Sequence, residues 1–153
     1  MHSGAITFSR LAKVTYGEAA AAALPAAAER ASADRVFIMA SQSLVERGPE
    51  IAAVKGGLGQ RFAGLYSGMP SHTPRDAVLE AAQGAREAGA DMIATVGGGS
   101  ITDAAKAVTL VLEHNLREMP DFDPYIMQTA ADGTTSSPEY RSPNIPLAWL
   151  RAI

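Results

Sequence analysis

The sequence predicts an α/β protein built on a parallel sheet with helices on both faces. Three observations carry that expectation. Short apolar runs at 35–41, 62–68 and 91–99 have the length and composition of buried strands. Segments of helical character separate them, and strand–helix–strand connections are crossovers, which make the pairing parallel. A run of three glycines closes the third apolar run at the point where a helix begins.

The elements follow in order along the chain. Residues 1–17, MHSGAITFSRLAKVTYG, alternate apolar and polar positions and predict two short strands, Ala5 to Phe8 and Lys13 to Tyr16, as an edge ribbon. From Glu18 to Ser32 the chain is nearly all alanine, the strongest helix former, interrupted by Pro25, which should start a new turn or kink the helix. RVFIMAS is the first buried strand and FAGLYSG the second. In SHTPRDAV the pattern places Thr73 as N-cap, Pro74 as first helical residue and Asp76 as third, with the helix running to about Ala88 and closing at Gly89. DMIATVGGG is the third strand. With Ser100 as the next N-cap, Ile101, Ala104, Ala105, Val108, Val111 and Leu112 fall on one helical stripe that faces the sheet. Five of the nine prolines lie between Pro120 and Pro146, a density that excludes α-helix and central strand. The α/β domain is therefore expected over 1–116, with 117–153 as a proline-rich loop or tail.

Composition narrows the function. Lys and Arg number 13 against 16 acidic residues, and no basic run occurs, so a nucleic-acid partner is not expected. The absence of cysteine removes disulfides, thiolate metal sites and a thiol nucleophile, and fits a reducing compartment. No apolar stretch approaches the ~20 residues that span a bilayer, and the start lacks a signal-peptide pattern. A cytoplasmic protein without a membrane partner is expected. The histidines, His2, His72 and His114, form no pair at helical metal-ligand spacing, so no metal site is legible. A homo-oligomer stays open.

The glycine turn carries the most chemistry. In a parallel sheet, the turn after a strand lies at the carboxyl edge, where such sheets bind ligands. Gly97, Gly98 and Gly99 can adopt positive φ and admit a ligand close to the backbone. The free N–H groups and dipole of the following helix favour an anion, and in this setting a dinucleotide pyrophosphate. Ser100 can cap the helix or donate to a phosphate. Asp103 has two readings: a ligand contact, or an acid near the helix start that pairs with Lys106. GGGSIT does not match G-x-G-x-x-G, and it follows a late strand.

GADMIATVGGGSITDAAKAV resembles the iron-containing alcohol dehydrogenase family, whose pattern is a strand followed by GGGSxxDxAK. Gly97, Gly98, Gly99, Ser100, Asp103, Ala105 and Lys106 stand in that pattern. The resemblance reaches back through YGEAAAAALP, RVFIMASQSLVERG and YSGMPSHTPRDAVLEAA, covers the chain to about residue 116, and at SHTP is closer to the maleylacetate reductase branch. It implies a Rossmann-like sheet of the dehydroquinate synthase-like N-terminal type and a bound nicotinamide dinucleotide, NAD or NADP. Hydride would pass between the nicotinamide and a small-molecule alcohol or carbonyl substrate. The resemblance implies pyrophosphate on Gly97 to Ser100, with Asp103 near the nicotinamide or the substrate. After FIMA the family often has an aspartate for the adenosine ribose; here Ser41 stands there, which leaves NADP open. His72 falls where the family often has a polar cofactor contact, with a solvent-facing loop histidine as the other reading. The family's second, helical domain, which holds iron or another divalent metal, is not seen, so this chain is expected to bind no metal and to be inactive or nearly so alone. After SPNIP the family continues with a threonine-rich segment where this chain reads PLAWL, as a truncated or frameshifted reading frame would. A non-catalytic nucleotide-binding remnant is the alternative, and dehydroquinate synthase and glycerol dehydrogenase share a related glycine motif.

Overall fold

The computed structural model describes residues 15–126, 128–133, 135–136 and 147–150. Helix α1 (Ala20–Arg30) leads into strand β1 (Val36–Ala40), which is buried at every position. Helices α2 (Gln42–Arg47) and α3 (Glu50–Leu58) and a 3-10 turn (Gly59–Arg61) connect it to β2 (Phe62–Tyr66). Helix α4 (Arg75–Glu87) connects β2 to β3 (Met92–Val96), and α5 (Gly99–Glu113) follows. A 3-10 helix (Met119–Tyr125), a short antiparallel pair β4 (Gln128–Thr129) and β5 (Thr135–Ser136), and β6 (Leu147–Leu150) complete the order. Among the described residues no helix is long and apolar enough to cross a membrane.

The main sheet has the order β2-β1-β3-β6 and is parallel throughout. Val36 lies opposite Phe62 on one side and Met92 on the other. Alternation along the strands divides the core in two. Val36, Ile38, Ala40, Met92, Ala94 and Val96 face α1 and α3, whereas Phe37, Met39 and Ile93 face α4 and α5. That is why β1 and β3 read as unbroken apolar runs, while β2, on the edge, is only half-buried. The connection from β1 to β2 runs outward over one face, and that from β2 to β3 returns over the other. Right-handed crossovers require this change of face when the strand order reverses.

Helix α1 continues through Pro25 without ending. Proline removes the N–H that would bond the carbonyl of Ala21, and Gly57 of α3 lies against that carbonyl with no room for a Cβ. Of the two strands expected near the start, Ala5 to Phe8 lies outside the described residues, as do the first two residues of Lys13 to Tyr16. Thr15 and Tyr16 carry no strand, Tyr16 is exposed, and Gly17 turns at φ 75°.

Two helix entries differ from expectation. Thr73 is not an N-cap: its φ of 50° sets Pro74, extended at ψ 147°, as the cap of α4. Asp76 becomes the second helical residue and its carboxylate accepts the N–H of Ala77 at 2.8 Å. Ser100 does not cap α5 either. Gly98 and Gly99 enter the helix directly, so the cap is Gly98 and Ser100 sits in the first turn. The expected apolar stripe holds, with Leu112 only partly buried. Residues 117–153 are not loop throughout. Residues 119–125 form a 3-10 helix, which accommodates Pro120 and Pro124, and 147–150, just past Pro146, pair with β3 as an edge strand.

Candidate functional site

The reversal of strand order at β1 opens a crevice between the carboxyl ends of β1 and β3, where parallel sheets of this type take their ligands. A cleft of about 250 Å³ lies there, lined by Ser41 and Gln42 after β1, Met69, Pro70 and Ser71 after β2, and Gly98 to Ile101 after β3. A larger depression of about 520 Å³ lies by Asp34, Leu58, Gln60 and Arg61, ahead of β1 and β2 at the opposite edge of the sheet, away from the glycine turn.

The three glycines divide the work. Gly97 stands at φ 156°, and a Cβ there would come within 3.2 Å of Ile101 Cγ1 and 3.4 Å of Ser41 Oγ. It lets the backbone turn tightly between strand and helix. Gly98 and Gly99 have no neighbour within 4 Å of a would-be Cβ and are exposed, so their backbone borders open cleft. Helix α5 begins without a side-chain cap and without an acidic residue in its first turn. Its first N–H groups have no intrahelical acceptor, so positive potential and hydrogen-bond donors converge on the cleft. No side chain lining the cleft is charged. At the far end of α5, away from the cleft, Arg86 donates to the carbonyls of Val111 and Leu116, at 3.0 and 2.8 Å, which fixes α5 against α4.

Ser41, Gly98, Gly99 and Ser100 thus meet in one cleft, with Gly97 directly behind them. Ser41 follows β1, its N–H bonded to the carbonyl of Val96 at 3.1 Å, and its hydroxyl caps nothing in α2. His72 and Asp103 stand outside the lining. His72 is exposed at φ 66°. Asp103 is exposed and pairs with Lys106 at 2.9 Å, the structural reading that its spacing offered. Sequence reasoning missed Gln42, Met69, Pro70 and Ser71. The signal was available: in a parallel sheet the Gly-Pro segment after FAGLY must lie at the same edge as the glycine turn. Beside it, burial and a bond to Glu80 at 3.1 Å push the Tyr66 hydroxyl up to about 12. Among the described residues, no three His, Cys, Asp or Glu side chains gather into a set that holds a metal ion.

Comparison with known proteins agrees with this geometry. The family model for iron-containing alcohol dehydrogenase matches residues 12–147. Maleylacetate reductase 2 of Cupriavidus pinatubonensis is 36% identical over 108 residues, covering 69% of this chain and 28% of that protein. The chain thus spans under a third of that relative's length. Among solved structures, maleylacetate reductase from Agrobacterium tumefaciens superposes with a TM-score of 0.63 at 21% identity, covering 98% of this chain and 43% of the other. Sulfoacetaldehyde reductase from Bifidobacterium kashiwanohense, solved in complex with NAD+, gives a TM-score of 0.68 at 16% identity, covering 88% and 32%. At those identities the structures speak for the fold, a parallel sheet of Rossmann-like type. The family match over most of the sequence decides the rest: the chain belongs to the iron-containing alcohol dehydrogenase family.

Proposed function

We propose that this chain is the dinucleotide-binding part of an oxidoreductase, taking NAD or NADP in the cleft between β1 and β3. The observation that carries the reading is the glycine turn: a Cβ at Gly97, at φ 156°, would crowd Ile101 and Ser41, while Gly98 to Ser100 open an uncapped helix start into the cleft. The pyrophosphate sits on the N–H groups of Gly99, Ser100 and Ile101, with the Ser100 hydroxyl as a further donor. Ser41, at the end of β1, faces the adenosine ribose and carries no charge to repel a 2′-phosphate. When bound, the nicotinamide supplies the hydride chemistry. The chain's own residues bind and orient.

In this scheme His72 and Asp103, both exposed and outside the cleft lining, are assigned to the cofactor beyond its pyrophosphate, Asp103 toward the nicotinamide or the substrate. The Asp103–Lys106 pair is exposed on both sides, and such pairs contribute little to stability, so Asp103 is free to exchange partners when a ligand arrives. The substrate is a small alcohol or carbonyl compound of the kind named by the maleylacetate reductases. The described residues do not fit a metal ion.

Titration of the chain with NADH and NADPH, followed by nicotinamide fluorescence, tests the reading. Saturable binding that inorganic pyrophosphate displaces is the expected result. A folded chain that quenches or enhances neither nucleotide would reject it.

A further inference from the structure

The loop between β2 and α4 is held at both ends. At its start Gly68 lies against the Tyr66 ring, where a Cβ would come within 3.2 Å of the hydroxyl oxygen, and that hydroxyl donates to Glu80. At its end His72 and Thr73 stand at φ 66° and 50°, two successive residues in the left-handed region. This backbone is uncommon for any residue with a Cβ and an outlier for a β-branched one. Pro74 adds a second restriction, since the residue before proline is pushed toward extended backbone. The other described non-glycine residues with positive φ, Ser32 and Asn115, lie just past the C-caps of α1 and α5. There a left-handed residue closes the helix. His72 and Thr73 precede a helix, so capping does not account for them. Strain of this kind persists where surroundings over-determine it, and it gathers at ligand sites.

The surroundings here are those of the cleft. Thr73 Oγ1 donates to the carbonyl of Ser100 at 3.5 Å, tying the loop to the first turn of α5. The left-handed turn directly follows Met69, Pro70 and Ser71, which line the cleft together with Gly98 to Ile101 and form its wall from the β2 side. We infer that Thr73 is a positioning residue for the dinucleotide site: its strained backbone and its hold on Ser100 keep the 69–71 wall in place before any ligand arrives. The inference rests on the dinucleotide reading above.

Three variants at one position, each measured for thermal stability and for NADH affinity by fluorescence, test it. Thr73→Gly removes the strain and the hydroxyl together. It raises the melting temperature by about 2–4 °C and weakens NADH binding about tenfold, because the relaxed loop is competent in only a fraction of molecules. Thr73→Val keeps the branched Cβ, loses the hydroxyl, and weakens binding without gaining stability. Thr73→Ser keeps the hydroxyl and restores wild-type affinity. A purely structural role would move stability and affinity in the same direction. If wild type binds, a Gly98→Asp variant does not, and Thr73→Gly binds as wild type does, the positioning role fails and the dinucleotide reading stands. If folded wild type binds no dinucleotide, both fail.

Discussion

Gly98→Asp separates fold from function at the glycine turn. Gly98 is the N-cap of α5 at φ −90°, and a Cβ there meets nothing within 4 Å. An aspartate fits without strain, and as an N-cap its carboxylate accepts the N–H of Ser100 or Ile101, favouring the helix by a few tenths of a kcal/mol over glycine. Those N–H groups are the ones assigned to the pyrophosphate. A carboxylate about 4 Å from one phosphate charge repels it by about 4 kcal/mol at an effective dielectric of about 20. The cleft is open and salt screens part of this, so about 3 kcal/mol is expected, a loss of roughly a hundredfold in affinity. Nicotinamide fluorescence gives the dissociation constant and thermal unfolding the stability. Gly98→Ala, which adds bulk without charge, should bind within about threefold of wild type while losing about 1 kcal/mol of stability as a poorer cap. A Gly98→Asp chain that is as stable as wild type and binds NADH unchanged would refute the assignment of the phosphate to this helix start.

Three further outcomes follow from the packing and the titrating groups. Gly57→Val forces a branched side chain onto the Ala21 carbonyl, where even a Cβ has no room; thermal or urea unfolding should show a loss of about 1–3 kcal/mol. The Tyr66 hydroxyl, raised to about 12 by burial and then by Glu80, favours the neutral form in the fold. Its contribution is complete below the ordinary tyrosine value of about 10 and is lost as pH rises through about 12, so a phenolate absorbance titration should show a late component that disappears in Tyr66→Phe. The Asp121 carboxylate is held low by the N–H groups of Arg117 and Glu118, which it accepts at 2.7 and 3.0 Å. The stability that it lends the 3-10 helix is present above the ordinary aspartate value of about 3.9 and lost as pH falls through its own lower value. Amide exchange in 117–125 should rise there relative to its intrinsic rate, and in Asp121→Ala, which removes the acceptor, that protection should be lost at every pH.

Elements with strong local signals were legible because nothing in the tertiary structure competes with them. Unbroken apolar runs at 36–40 and 92–96 are what burial on two faces demands, and the stripe from Ile101 to Val111 is what packing on a sheet demands. The helix starts were misread by one or two residues for different reasons. At α4 the capping rule assumed ordinary backbone at Thr73, which tertiary contacts override. At α5 the rule favoured a serine over glycines, although Gly98 enters the helix with backbone that any residue can adopt. Strand β6 was hidden because its pairing with β3 spans some fifty residues of chain rich in proline, and no local pattern reports a partner that distant. The glycine turn was found through its place between a strand and a helix, and Ser41 through the family resemblance. Gln42 and the 69–71 wall were not, since they join the site only when three strand ends are placed side by side.

Among the described residues, the departures from ordinary backbone conformation that no helix closure explains are not scattered. Gly97, where a Cβ would crowd Ile101 and Ser41, and His72 and Thr73, in a backbone that their own Cβ atoms oppose, all lie at the carboxyl edge, on two loops bounding one cleft. At helix closures such as Ser32 and Asn115, by contrast, the left-handed backbone serves the helix that it ends. A sequence selected for fold alone has little reason to gather its exceptions where the strand order reverses, because propensity, pattern and packing elsewhere in the chain agree. The reversal between β1 and β3 makes the crevice, Gly97 brings the chain close to whatever enters it, and the start of α5 supplies donors for an anion. Thr73 belongs to the same arrangement from the β2 side. Relieving its strain should therefore make the protein more stable and its cleft worse, a combination that a loop serving only the fold would not show.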